Sequence, residues 1–570
     1  MKVAEIVSVA RGDKPADLVL RHARVVNVFS AEVYESDVAI THSRIVGVGP
    51  GYEGKAEIDL AGAYLAPGFI DAHVHIESSM LGVREFARAV LPHGTTSVIV
   101  DPHEIANVHG LDGIRYMFDQ AKYGRLSMFV MVPSCVPATP MATAGARLEA
   151  RDVIPLMNDP YVLGLAEMMN YPGVVQGDPA VVEKLEMFRG HVLDGHAPTL
   201  SGHHLSAYVA AGIGSDHECT TVEEAQEKLR LGMYIFIREA TNAHNLRDLL
   251  PLVTPQNCRR FCFCTDDRHP LDLLERGHID SMIRTAIAEG LDPITAMRMA
   301  TLNPAEWFRL HDRGAIQPGR RADLVVFDRF DDLRIQLVLR GGQVVARQGK
   351  MVIARDRLAH PGTLRSSMNV DWRAVSFAIP AQGHKARVIG IVPDQLITEH
   401  RMAEARLVDG RAESDVSRDL LKIAVIERHM ASGRMSCGFV QGMGLKRGAM
   451  ASTVAHDHHN LIVVGADDTS MMTAAQAVAD MRGGLAVAEG DAVLARLPLP
   501  VAGLMSDKPL ETVCAQVKEP RDAVRALGSP LEEPFITLSF LALEVIPALK
   551  LTDQGLVDVE KFEFVPLFVE

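Results

Sequence analysis

The segment PGFIDAHVHIESS carries His73 and His75 two residues apart at the end of an apolar run. Residues i and i+2 of a strand point to the same side, so two imidazoles would leave this strand end together, able to share a cation. Groups of the same chemical kind recur further on: Glu167 ends YVLGLAE, His196 lies in LDGHAP, His217 in AGIGSDHE and Asp266 in FCFCTDDRHP. Each alone is ambiguous, because a lone His in a loop is ordinary structure and an Asp before a turn is commonly a helix cap. Together the four His and two carboxylates make the mixture of imidazole nitrogen and carboxylate oxygen that borderline divalent metals favour. Six ligands exceed one tetrahedral site. The economical arrangement is a metal pair sharing a carboxylate and a water, with that water acidified into a hydroxide nucleophile.

Such groups need a scaffold that brings distant residues to one mouth. Residues 66–311 alternate β-like runs (TTSVIVDPHE, LSMFVMVPSC, YVLGLAEM) with helix-like stretches (PAVVEKLEMFRG, TVEEAQEKLRLG), the pattern of repeated βα units and a parallel sheet. A stretch of this length suits a closed (β/α)8 TIM-like barrel, whose active site forms at the C-terminal strand ends, where the six candidates fall. A doubly wound open sheet fits less well, since no GxGxxG follows the first strand. The flanks 1–65 and 312–365 hold short β runs broken by Gly and polar turns, which predicts one small, discontinuous β-sandwich domain clasping the barrel. Residues 366–570 mix Gly-punctuated β segments with helices, predicting an additional C-terminal α+β domain. The expected class is therefore α/β, a metal-dependent barrel with two added domains.

With HxH as its commonest element, the sequence resembles the amidohydrolase superfamily. PGFIDAHVHIESSM, DPHEIANVHG, LAEMMNYPGVV, LDGHAP, AGIGSDHE, FCTDDRHP and, near the C-terminus, STVAHDHHNLIVVG, LPLPVAGLMS and VIPALKLTDQGLVD narrow the resemblance to the bacterial adenine deaminases. The resemblance implies hydrolysis of adenine to hypoxanthine and ammonia, a step of purine salvage, at a centre of two divalent ions, manganese or iron with zinc admissible. It implies that His73 and His75 hold one ion, that Glu167 bridges where many relatives use a carboxylated Lys, that His196 and His217 hold the other, and that Asp266 completes the site. On this reading Asp266 takes the proton of the hydroxide and passes it on. Glu104 and Asp101 of DPHE contact the purine and shuttle protons, and Glu77 and Glu218 orient substrate or ligands. Asp101 and His103 share a face by the i, i+2 rule, which leaves room for an accessory third ion, and Asp267 is a substrate or positioning contact. The alternative is another amidohydrolase acting on a different nucleobase or cyclic amide. A catalytically dead relative should have lost a ligand, whereas all six positions are filled.

Composition agrees with a small-molecule enzyme. Across 570 residues, Lys plus Arg is 58 and Asp plus Glu is 72, a formal charge of -14 that disfavours nucleic acid as a partner. No apolar run reaches the ~18 residues of a membrane span, and the first twenty residues lack a signal-peptide core. Seven Cys without CxxC pairing argue against a disulfide framework, so a reducing cytoplasm is expected. A homo-oligomer, with a dimer favoured, is the expected assembly. Two features are set aside as structure, His203 and His204 as surface residues and Cys262 and Cys264 as buried strand residues; the run His456, Asp457, His458, His459 reads as a structural or lid element of a separate domain, with a contribution to the active-site mouth as the alternative.

Overall fold

The computed structural model describes residues 3–122, 124–352, 364, 366–393 and 395–569. The expected boundary at residue 365 lies outside the described residues. Eight parallel strands ring the centre of the chain: β1 (Phe69–Val74), β2 (Thr95–Val100), β3 (Ser127–Val132), β4 (Val162–Met168), β5 (Val192–Gly195), β6 (Ser215–Asp216), β7 (Tyr234–Arg238) and β8 (Phe261–Cys264). The first five form one sheet and the last three another. Asp266 joins the two, its N–H donating to His73 O at 3.0 Å while its carbonyl accepts from His75 N–H at 3.3 Å. Every residue of β2 and β3 is buried, as expected of parallel strands covered on both faces. Alternate residues fill the ring interior: Ile70, Ala72, Ile99, Phe129, Met131, Ala166, Tyr234, Phe236, Cys262 and Cys264 pack as one cluster, plugged by Phe308. The helices cover the opposite face. This is a TIM-like (β/α)8 barrel.

The two flanks meet in a nine-stranded sheet. Tyr64–Pro67 pairs antiparallel with Leu324–Phe327, Leu65 opposite Val326, so chain before and after the barrel becomes one sheet. Val38 and Ile40 near one end of this sheet share a core with Leu337 and Leu339 near the other, so the sheet folds over on itself. The C-terminal part is built on a second nine-stranded sheet, against which the helix Asp468–Asp480 packs Met471, Ala474, Ala475 and Val478. Among the described residues no helix is long and apolar enough to cross a membrane. All seven cysteines are free, with Cys262 and Cys264 buried in β8. His203 and His204 are exposed on the helix Gly202–Ala210.

Candidate metal centre

His73 and His75 reach the mouth through a departure from regular pairing. The β1–β2 register shifts between Asp71 and Val74, a bulge-like irregularity of the kind that re-aims side chains. Phe69 and Val74 pack outward against the helices while Ile70 and Ala72 face inward. The two imidazoles therefore converge, with Nε2 atoms 3.0 Å apart. His75 Nδ1 lies 3.0 Å from the carbonyl oxygen of Asp101, which can only accept. Nδ1 thus carries a proton, and Nε2 is turned toward His73 and the carboxylates.

Glu167, at the end of β4, spans two histidine pairs. Its Oε1 is 3.5 Å from His73 Nε2 and 3.2 Å from His75 Nε2, while Oε2 is 2.7 Å from His196 Nδ1 and 3.3 Å from His217 Nε2. Asp266 Oδ1 lies 3.6 Å and 3.2 Å from the same His73 and His75 nitrogens. Asp266 continues the inward alternation of Cys262 and Cys264, and its φ of 54° turns the chain at the rim. Burial opposes ionisation of Glu167, yet the His217 and His196 imidazoles outweigh it and hold the carboxyl well below the usual range. Asp266 is likewise held low against burial by His75, His217 and the guanidinium of Arg238.

These groups fit a cation. His73, Glu167 and His217 form one set, and His73, His75 and Asp266 another, with ligand atoms within 4.8 Å of one another and every residue buried. The His75–Glu167 and His75–Asp266 separations match the ~3 Å between neighbouring ligands that each sit ~2.1 Å from one ion. His196 adds an Nε2 that is buried without a hydrogen-bond partner.

The other sequence-derived candidates surround this centre in different ways. Asp101 and His103 do come together, but not by sharing a strand face. β2 ends at Val100 and His103 starts the helix α1 (His103–His109). Asp101 Oδ1 accepts from His103 N–H at 3.1 Å and Oδ2 lies 2.9 Å from His103 Nδ1, so Asp101 orients the ring, whose Nδ1 is 3.5 Å from Glu167 Oε1. Glu77 sits one shell back, accepting from Ile105 N–H at 3.2 Å and so bracing α1. Burial pushes its carboxyl up to about 7. Asp267 lines the pocket and accepts from the Ser78 hydroxyl. Glu218 Oε1 lies 3.5 Å from His217 Nε2 and pairs with Arg238.

Sequence reasoning missed Arg238 and left the role of the His456 run open. Arg238 ends β7 and donates to Glu218 and, at 3.1 Å, to Asp266 Oδ2. The alternation Tyr234, Phe236, Arg238 in YIFIR was the available signal. Of its two expected placements, a structural or lid element or a contribution to the active-site mouth, the run takes the second: His456 and Asp457 line the pocket, and His456 Nδ1 lies 2.6 Å from Glu104 Oε1. Nothing local in the sequence links residues 104 and 456.

A barrel carrying four imidazoles and two carboxylates at the C-terminal ends of its strands defines a metal-dependent hydrolase of the amidohydrolase class. The Amidohydrolase family profile matches residues 64–345, and that of the Adenine deaminase C-terminal domain matches residues 395–563. The chain is 53% identical over 567 residues to the adenine deaminase of Desulfatibacillum aliphaticivorans, covering 99% of both. It is 47% identical over 573 residues to that of Kosmotoga olearia, covering 100% of this chain and 99% of the relative. Among solved structures, dihydropyrimidinase from Brevibacillus agri is similar over 59% of this chain and 96% of its own, with a TM-score of 0.47 and 14% identity. The chain belongs to the adenine deaminase family.

Proposed function

We propose that this chain hydrolyses adenine to hypoxanthine and ammonia, with His73, His75, Glu167, His196, His217 and Asp266 holding two divalent cations, manganese or iron. The observation that carries this reading is Glu167, whose two oxygens address two separate histidine pairs. Bound there, divalent cations would supply a hydroxide nucleophile near neutral pH by lowering the pKa of a water. C6 of adenine is a poor electrophile and its amine a poor leaving group, so the residues must manage protons. Asp266 is the group that accepts the proton released at the nucleophile and returns it to the departing nitrogen. Arg238 holds Asp266 Oδ2, which leaves Oδ1 toward the histidines. Glu104 faces the pocket, its carboxyl held well below the usual range against burial by the His456 and His459 imidazoles, and it shuttles a proton at the purine ring, with Asp101 fixing His103 beside it. Asp267 contributes a further polar contact at the rim. Leu396, Phe540, Leu543 and Ile546 supply an apolar wall suited to a flat base and to keeping bulk water out.

The reading carries three further assignments. The chain divides into 1–65 with 312–365, 66–311 and 366–570; it acts in the cytoplasm; and it assembles as a homo-oligomer. Ammonia release from adenine, guanine, cytosine and dihydrouracil by the metal-loaded enzyme tests the substrate. Adenine should be turned over fastest, and faster release from any of the others would overturn the reading.

A further inference from the structure

Glu104 begins in the barrel but is held from the other half of the chain. Segment 455–460 connects the strands Ala449–Ser452 and Leu461–Gly465 of the C-terminal sheet and descends onto α1. Its His456 presents Nδ1 to Glu104 Oε1 at 2.6 Å, and its His459 presents Nε2 to Glu104 Oε2. All three side chains are buried. The 2.6 Å separation between His456 Nδ1 and Glu104 Oε1 is that of a short, charge-assisted hydrogen bond.

The segment is itself fixed from several sides. The fully buried guanidinium of Arg428 donates to His459 O, to Ser367 O at 2.7 Å and to Ala502 O at 3.0 Å. His429 Nε2 lies 2.8 Å from His458 O, and Asn460 Nδ2 donates to Thr143 O at 2.8 Å. His456 donates its backbone N–H to Ser539 O at 3.0 Å and stacks its ring on Phe540, centroids 4.4 Å apart at 15°. His459 adopts a φ of 50°, a left-handed conformation unfavourable for a non-Gly residue and sustained only by such surroundings. A carboxylate that only needed burial would not need two imidazoles aimed at its two oxygens by so many supports.

We propose that His456 and His459 are positioning residues that set the Glu104 carboxylate for its contact with the purine ring, so that the C-terminal half of the chain completes an active site built in the barrel. The proposal rests on the assignment of Glu104 to the ring proton, and the test separates the two. Steady-state kinetics on the full-length, metal-loaded enzyme would compare Glu104→Gln, His456→Phe, His456→Asn and the double variant Glu104→Gln/His456→Phe. His456→Phe keeps a ring on Phe540 but removes the donor, whereas His456→Asn keeps a donor near the place of Nδ1. Glu104→Gln should lower kcat about 100-fold or more. His456→Phe should lose most of that factor in kcat with little change in KM or metal content, and His456→Asn should recover most of it. The double variant should be no slower than Glu104→Gln alone, because both changes remove the same interaction. Wild-type kcat in His456→Phe, or a double variant whose losses multiply, would overturn the positioning role while leaving the assignment of Glu104 intact. Wild-type kcat in Glu104→Gln would overturn both.

Discussion

Lys228 is a buried ammonium whose removal should loosen one side of the metal centre. It projects from the helix α2 (Val222–Arg230), its side chain 0% exposed, and donates to Ala197 O at 2.7 Å, Asp216 Oδ2 at 3.0 Å and Glu224 Oε1 at 2.7 Å. Asp216 is also fully buried, and its oxygens accept from Ala197 N–H at 2.8 Å and Glu218 N–H at 3.1 Å. The pair therefore ties the residue after His196 to the residues on either side of His217. Lys228→Met keeps the apolar stem and strands the Asp216 charge, a change that costs about 3–5 kcal/mol when one partner of a buried pair is lost. At about 2–4 °C per kcal/mol for a unit of barrel size, the melting temperature should fall by roughly 6–20 °C. Adding Asp216→Asn removes the stranded charge, so the double variant should recover part of the loss. Differential scanning calorimetry on the four proteins, with metal content measured in parallel, checks this. A single variant melting within about 2 °C of wild type, or a double variant whose deficits simply add, would refute the reasoning.

Two further outcomes follow from the same structure. Asp266→Asn should lower kcat by about 1,000-fold or more while the fold persists, since Asn tolerates the left-handed φ of 54° that this position adopts; near-normal turnover would sink the role given to Asp266. Glu544 is buried, accepts from Thr139 Oγ1 at 2.6 Å, and burial pushes its carboxyl up to about 8 from an ordinary 4.5. The folded chain therefore keeps a proton that the unfolded chain releases above pH 4.5, so wild-type stability declines as pH rises from there toward 8, by about 3 kcal/mol at pH 7. Glu544→Gln should match wild type near pH 4.5 and melt progressively above it by pH 8, whereas a pH-independent difference between the two would contradict the assignment.

The barrel was legible in the sequence because its strands are short and apolar and because polar groups recur where they end. The pairing of the two flanks was also legible, since both show β runs of the same kind. Other features depend on geometry that no local period records. His73 and His75 face inward because the β1–β2 register slips, not through uninterrupted alternation. Asp101 meets His103 because a helix begins two residues beyond the strand. Glu77, expected to orient substrate or ligands, also braces the first turn of α1, a contact set by tertiary packing. Arg238 could have been found, since its strand alternates and a cation at a barrel strand's C-terminal end is a functional position. The pairing of His456 with Glu104 could not, because the two lie 352 residues apart.

The stoichiometry of reconstitution tests the bridged two-cation reading built on Glu167. Enzyme stripped by a chelator would be titrated with Mn2+ in the absence of excess metal, and ammonia release from adenine measured at each ratio. Activity should climb to a plateau at about two equivalents per chain, as two histidine pairs bridged by one carboxylate require. Full activity at one equivalent, with no further rise, would contradict it.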